Sequence, residues 1–116
     1  MLHTETLNRN KDFLTLYRRG LCVPMRHIVV YAAKNRCGCS RLGITAGKKV
    51  GNAVQRNRAK RLIRVAYRTL EDKLPKGLDY VIVARTAICE AKAQDIISQL
   101  GGRGLREICA KFGDAK

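Results

Sequence analysis

Between residues 8 and 20 the apolar positions Phe13, Leu16 and Tyr17 recur at i, i+3 and i+4, and the run stops at Gly20. That spacing predicts a short helix over 8–19 ended by glycine. The next stretch, LCVPMRHIVVYAA from 21 to 33, is rich in β-branched residues, with Ile28, Val30 and Ala32 alternating against Val29, Tyr31 and Ala33. It reads as a strand that begins after Pro24, because proline cannot donate to a ladder. KNRCGCS makes a turn, and RLGITA (41–46) gives a second strand with Leu42, Ile44 and Ala46 on one face. Those two strands are expected to pair as an antiparallel hairpin.

After Gly51 the period changes to that of a helix. Asn52 is a good N-cap with Gln55 three residues on, as in a capping box, and Lys73, Pro75 and Gly77 mark the far end, so a helix is predicted over about 53–73. LDYVIVAR (78–85) is nearly all apolar and follows that helix. It reads as a buried central strand parallel to the one before the helix. A last helical region begins near Ala91, carrying Ile96, Ile97, Leu100, Leu105, Ile108, Cys109 and Phe112 at helical spacing. Gly101, Gly102 and Gly104 should kink or split it. No linker or repeat divides the 116 residues, and that length suits one domain.

On a helical wheel the segment after Asn52 separates cleanly. Ala59, Leu62, Ile63, Ala66 and Leu70 fall in one arc, and Arg58, Lys60, Arg61, Arg64 and Arg68 lie opposite with Asn57 among them. Solvated helices usually intersperse Glu with Lys or Arg to offset repulsion, but no acid occurs from residue 13 to residue 70, against 14 basic residues. The whole chain has a formal net charge of +15. Charge of that size calls for a polyanion. A membrane surface fits poorly, because the apolar arc lacks the Trp and Phe of interfacial helices. Arginine outnumbers lysine on the basic face, offering bidentate phosphate contacts and base stacking, and Asn57 can read a base edge or a ribose hydroxyl; folded RNA therefore fits better than B-DNA.

A second candidate surface gathers Phe13, Tyr17 and Tyr31 near Arg18, Arg19, Arg26 and Lys34. Aromatics beside cations hold unpaired nucleotides by stacking, although Phe13 fits a core position equally well. Catalytic chemistry is harder to find. A metal nuclease needs clustered carboxylates, the basic region has none, and His3 and His27 make no convincing acid–base pair. Gly47-Lys48-Lys49 imitates a phosphate loop only superficially. Cys37 and Cys39 lack the paired partners of a zinc site. Five cysteines, an odd number, and no signal-like or membrane-length apolar run suggest a reducing cytoplasm.

RLGITAGKKVGNAVQRNRAKRLIRVAYR, with the Arg56-Asn57-Arg58 triplet at its centre, resembles the signature of the bacterial ribonuclease P protein component. FLTLYRRG is similar to that family's first helix and DYVIVAR to the strand after its basic helix, so the likeness runs from about residue 7 to about residue 85. Val65 departs from the polar or acidic residue common at its position. The resemblance implies an α/β (α+β) two-layer sandwich with a mostly antiparallel sheet and a left-handed βαβ crossover through the basic helix, against the usual right-handed preference. It implies a single RNA-binding domain over 1–116, a non-catalytic subunit of an endoribonuclease that matures the 5′ end of tRNA. The partner RNA then carries the chemistry and uses Mg²⁺, with one protein per RNA. Lys48, Lys49, Arg56, Asn57, Arg58, Lys60, Arg61, Arg64 and Arg68 would bind that RNA, and Phe13, Tyr17, Arg26 and Tyr31 the 5′ leader of precursor tRNA. A ribosomal or general RNA-binding protein would share the charge, and the carboxylate-free basic region argues against a self-sufficient metal nuclease.

Overall fold

The computed structural model describes residues 4–113. Thr4–Thr6 forms β1, Asn10–Arg19 α1, Leu21–Pro24 β2, Ile28–Lys34 β3 and Ser40–Thr45 β4. They are followed by α2 (Ala53–Leu70), β5 (Leu78–Ala84), α3 (Ala93–Gln99) and α4 (Leu105–Phe112). The five strands make one sheet in the order β1-β4-β5-β3-β2.

β5 occupies the centre because it is apolar on both faces. Tyr80 and Ile82 pack with α2, α3 and α4 on one side, and Val81 and Val83 pack with α1 on the other. Its position corrects three expectations. β3 and β4 do not form a hairpin: β5 lies between them, antiparallel to β3 and parallel to β4. Two strand spacings are about 10 Å, which the connection over 35–39 can span. Asn35 holds that gap open. Its backbone N–H donates to Gly77 O (3.1 Å), and its side-chain amide donates to Cys39 O (2.9 Å) and Asp79 Oδ1 (2.8 Å). Arg41 then clamps β4 to β5 through two 2.7 Å bonds to the carboxylate of Asp79.

The sheet is accordingly mixed rather than mostly antiparallel, since β1–β4 and β4–β5 are parallel pairs. Nor is it a simple two-layer sandwich. Ile28, Val30 and Ala32 of β3 face the large core, whereas Tyr31 and Ala33 face a second, smaller cluster with Leu7, Leu16 and Phe13, so α1 adds a partial third layer.

Smaller differences have local causes. Leu21–Pro24 is an edge strand of its own, paired only with β3, and Pro24 is tolerated at its end because an edge demands no donor. β1 is short and polar, without the alternation that reveals a strand. α2 stops at Leu70, just before the expected end. The glycine-rich stretch does not break the last helix outright; Leu100–Gly104 forms a π-helical turn between α3 and α4. A Cβ on Gly101 would stand 3.2 Å from Leu70, so glycine lets this turn cross the end of α2 closely.

Candidate nucleic-acid interface

α2 begins with the expected capping box. Gln55 N–H donates to Asn52 Oδ1 (2.9 Å), and Asn52 N–H donates to Gln55 Oε1 (2.9 Å). Ala59, Ile63, Ala66, Tyr67 and Leu70 are buried against the sheet and α3, which turns Asn57, Arg61 and Arg68 outward, while Arg64, also exposed, borders the groove at the β4 edge. Val65 is exposed among them. Lys60 lies at the margin, half-buried, on the side facing β4.

The triplet itself is less uniform than a wheel suggests. Arg58 reaches across the other margin, where Nη2 donates to Ala91 O (2.7 Å), tying α2 to the segment that leads into α3. Its guanidinium therefore has a structural job as well as a charge. Arg56 is half-buried, and its Nε is a buried side-chain nitrogen with no hydrogen-bond partner among the described residues. An unmatched buried donor costs about 1–3 kcal/mol. An acceptor brought by an anion would satisfy it. Lys48 and Lys49 are exposed on a 3-10 turn ahead of α2, at the end of the sheet rather than on the helix face.

The aromatic residues lie on the opposite side of the sheet, beneath α1. Tyr17 and Tyr31 meet edge to face with ring centroids 4.9 Å apart. Tyr17 is 40% exposed, and Tyr31 is half-buried beside Cys22, its partner across the β2–β3 ladder. Burial, and secondarily Cys22, raises the Tyr31 pKa. The neutral phenol can donate a hydrogen bond and does not repel phosphate. Phe13 packs on the Leu7, Leu16 and Val81 cluster yet remains half-exposed. Arg26 stands exposed in the β2–β3 turn, at the end of β3 away from Lys34.

Arg85 is the residue that sequence reasoning missed. It follows β5 immediately and lines a groove of about 610 Å³ with Lys48, Lys49 and Thr86. Its Nη1 also donates to Met25 O (2.9 Å), and its N–H donates to His27 O (2.9 Å), which fixes the β2–β3 corner carrying Arg26. The signal was a cation ending an apolar strand; what it lacked was the chain folding Lys48 and Lys49 back beside it. His27 is buried, and its backbone N–H donates to the Gln99 side chain (3.0 Å). His3 lies outside the described residues. Cys37 is exposed in a turn closed by its N–H on Asn35 Oδ1 (3.0 Å). Among the described residues no group of three His, Cys, Asp or Glu is placed to hold a metal ion. No described helix is long and apolar enough to cross a membrane.

The geometry thus defines a strongly basic helix face on an α+β scaffold. The Ribonuclease P family profile matches residues 1–108. A Clostridium botulinum (strain Langeland) ribonuclease P protein component is 44% identical over 95 residues, covering 81% of this chain and 86% of that protein. The Brevibacillus brevis protein component is 41% identical over 100 residues, covering 85% and 79%. Among solved structures, the Staphylococcus aureus RNase P protein superposes with a TM-score of 0.77 at 31% identity, covering 92% of this chain and 96% of that one. The Thermotoga maritima RNase P protein gives 0.74 at 30% identity, covering 90% and 94%. This chain belongs to the ribonuclease P protein family.

Proposed function

We propose that the chain is the protein partner of a catalytic RNA and that it assists removal of the 5′ leader from precursor tRNA in the cytoplasm. The observation that carries this reading is the segregation of two surfaces across one sheet: cations on the outer face of α2, and a Tyr17–Tyr31 pair with Phe13 beneath α1. The cations suit a large folded RNA, where phosphate neutralisation releases counterions. The aromatics suit an unpaired strand, whose bases are free to stack. Only the precursor retains such a strand, so a protein bridging the two RNAs tightens substrate over product. Mg²⁺ belongs to the partner RNA in this scheme, one protein serves one RNA, and the protein lowers the Mg²⁺ that assembly requires. The β4–α2–β5 crossover is taken as left-handed, as the family resemblance implies.

The test is cleavage of a precursor tRNA at low Mg²⁺ by the cognate RNA alone, the protein alone and both together. Stimulation only with both present is expected. Intact RNA binding without stimulation makes the chain a general RNA-binding protein, and cleavage by the protein alone overturns the division of labour.

A further inference from the structure

β1 is short, and it pairs with β4 only from Ser40 to Leu42. Leu7 N–H closes that ladder on Leu42 O (2.9 Å) before the chain turns into α1. Strand alternation aims the N–H and C=O of Ile44 to the same side as those of Leu42. Past Leu42, therefore, no strand covers this edge of β4 among the described residues.

A groove of about 320 Å³ opens there, and its walls come from both sides of the sheet. Asn8 and Phe13 stand on the α1 side, Lys60 and Arg64 reach in from α2, and Gly43 and Ile44 form the floor. Gly43 lets the Phe13 ring settle directly against this strand, since a Cβ at that position would stand 2.5 Å from the ring. Lys60 and Arg64 are one turn apart, about 6 Å along the helix, and no acidic residue lines the groove. An open edge flanked by cations disfavours another β-strand. An aromatic ring, two cations and an outward backbone N–H together suit a single-stranded nucleic acid.

We propose that RNA leaving the α1 face crosses this edge, so that Lys60 and Arg64 hold the distal part of the leader rather than the partner RNA. The α1 face and this edge of β4 are then one track for a long leader. This rests on the leader reading above and changes the role expected for two residues of the basic helix.

The test compares the holoenzyme carrying Lys60→Ala and Arg64→Ala with wild type, measuring affinity for precursor tRNA with a minimal leader and with one of about ten nucleotides. Affinity for the long leader is expected to fall about tenfold further than for the minimal one, and its salt slope to drop by about 1.4 more. The Lys60→Gln, Arg64→Gln pair repeats that pattern if charge rather than folding is responsible, and circular dichroism checks that both variants fold. Equal losses on the two substrates, or no loss on either, overturn the proposal. Failure of the underlying reading is seen separately: there Tyr31→Ala weakens precursor and mature tRNA alike.

Discussion

On the outer face of α2, Arg61 and Arg68 extend into solvent from a helix that contains no acid. Beneath α1, Phe13 and Tyr31 are held by packing against Leu16 and Val81, and Tyr17 rests its ring on Tyr31. The first region specifies charge density and leaves side-chain positions open; the second specifies positions and leaves charge to its rim. Binding at the first should therefore follow ionic strength, and binding at the second should follow shape. A basic helix alone would hold any RNA. In the function proposed above, the distinction between precursor and product rests on the rigid side.

The largest effect on this contrast should come from α2. Arg61→Ala with Arg68→Ala is expected to lower the salt slope of partner-RNA binding by about 1.4 to 1.8, at about 0.7 to 0.9 per lost phosphate contact. Binding titrations over a range of salt concentrations measure it, and an unchanged slope removes both residues from the phosphate interface. Next comes Tyr31→Ala, expected to weaken precursor binding by about 1–3 kcal/mol with little change in salt slope. A slope change equal to that of the arginine pair would erase the contrast between the regions.

Arg58 sharpens the comparison from within α2, because it is anchored to Ala91 O while its neighbours are free of that contact. Arg58→Ala is expected to cost about 1–2 kcal/mol of folding stability in chemical denaturation. Arg61→Ala should cost much less. The smallest effect concerns Tyr67, behind the basic face. Its buried hydroxyl, with Thr4 bound to it and Glu71 nearby, has a pKa pushed up to about 12, chiefly by burial. A pKa raised in the folded state gives stability that is full below the unfolded value of about 10 and is lost as pH rises through 12. Tyr67→Phe should flatten that alkaline decline in pH-dependent melting, although Tyr80, whose pKa burial also raises, retains part of it.

Local pattern carried the basic helix, its Asn52–Gln55 cap and the alternation of β3 into the sequence clearly, because each depends on residues within a few positions of one another. Strand order did not show in the same way. The insertion of β5 between β3 and β4 depends on Asn35 and Arg41 reaching Asp79, contacts across 44 and 38 positions. β1 was silent because Thr4–Thr6 has no apolar alternation, and its pairing comes from β4 instead. The same limit governs the site. A wheel identified the outward cations, but it could not tell that Arg58 is tethered 33 positions away or that Arg85 completes a groove with Lys48 and Lys49. The glycines at 101 and 104 were legible as an interruption; their purpose, close passage over Leu70 and beside Met25, was not.

The most direct measurement of the two-surface account is the affinity of the assembled protein–RNA complex for precursor and for mature tRNA, each over a range of salt concentrations. The account predicts tighter binding of the precursor by a margin that persists as salt rises and collapses in Tyr31→Ala. Equal affinity for the two ligands, or a margin that vanishes with salt alone, would contradict it.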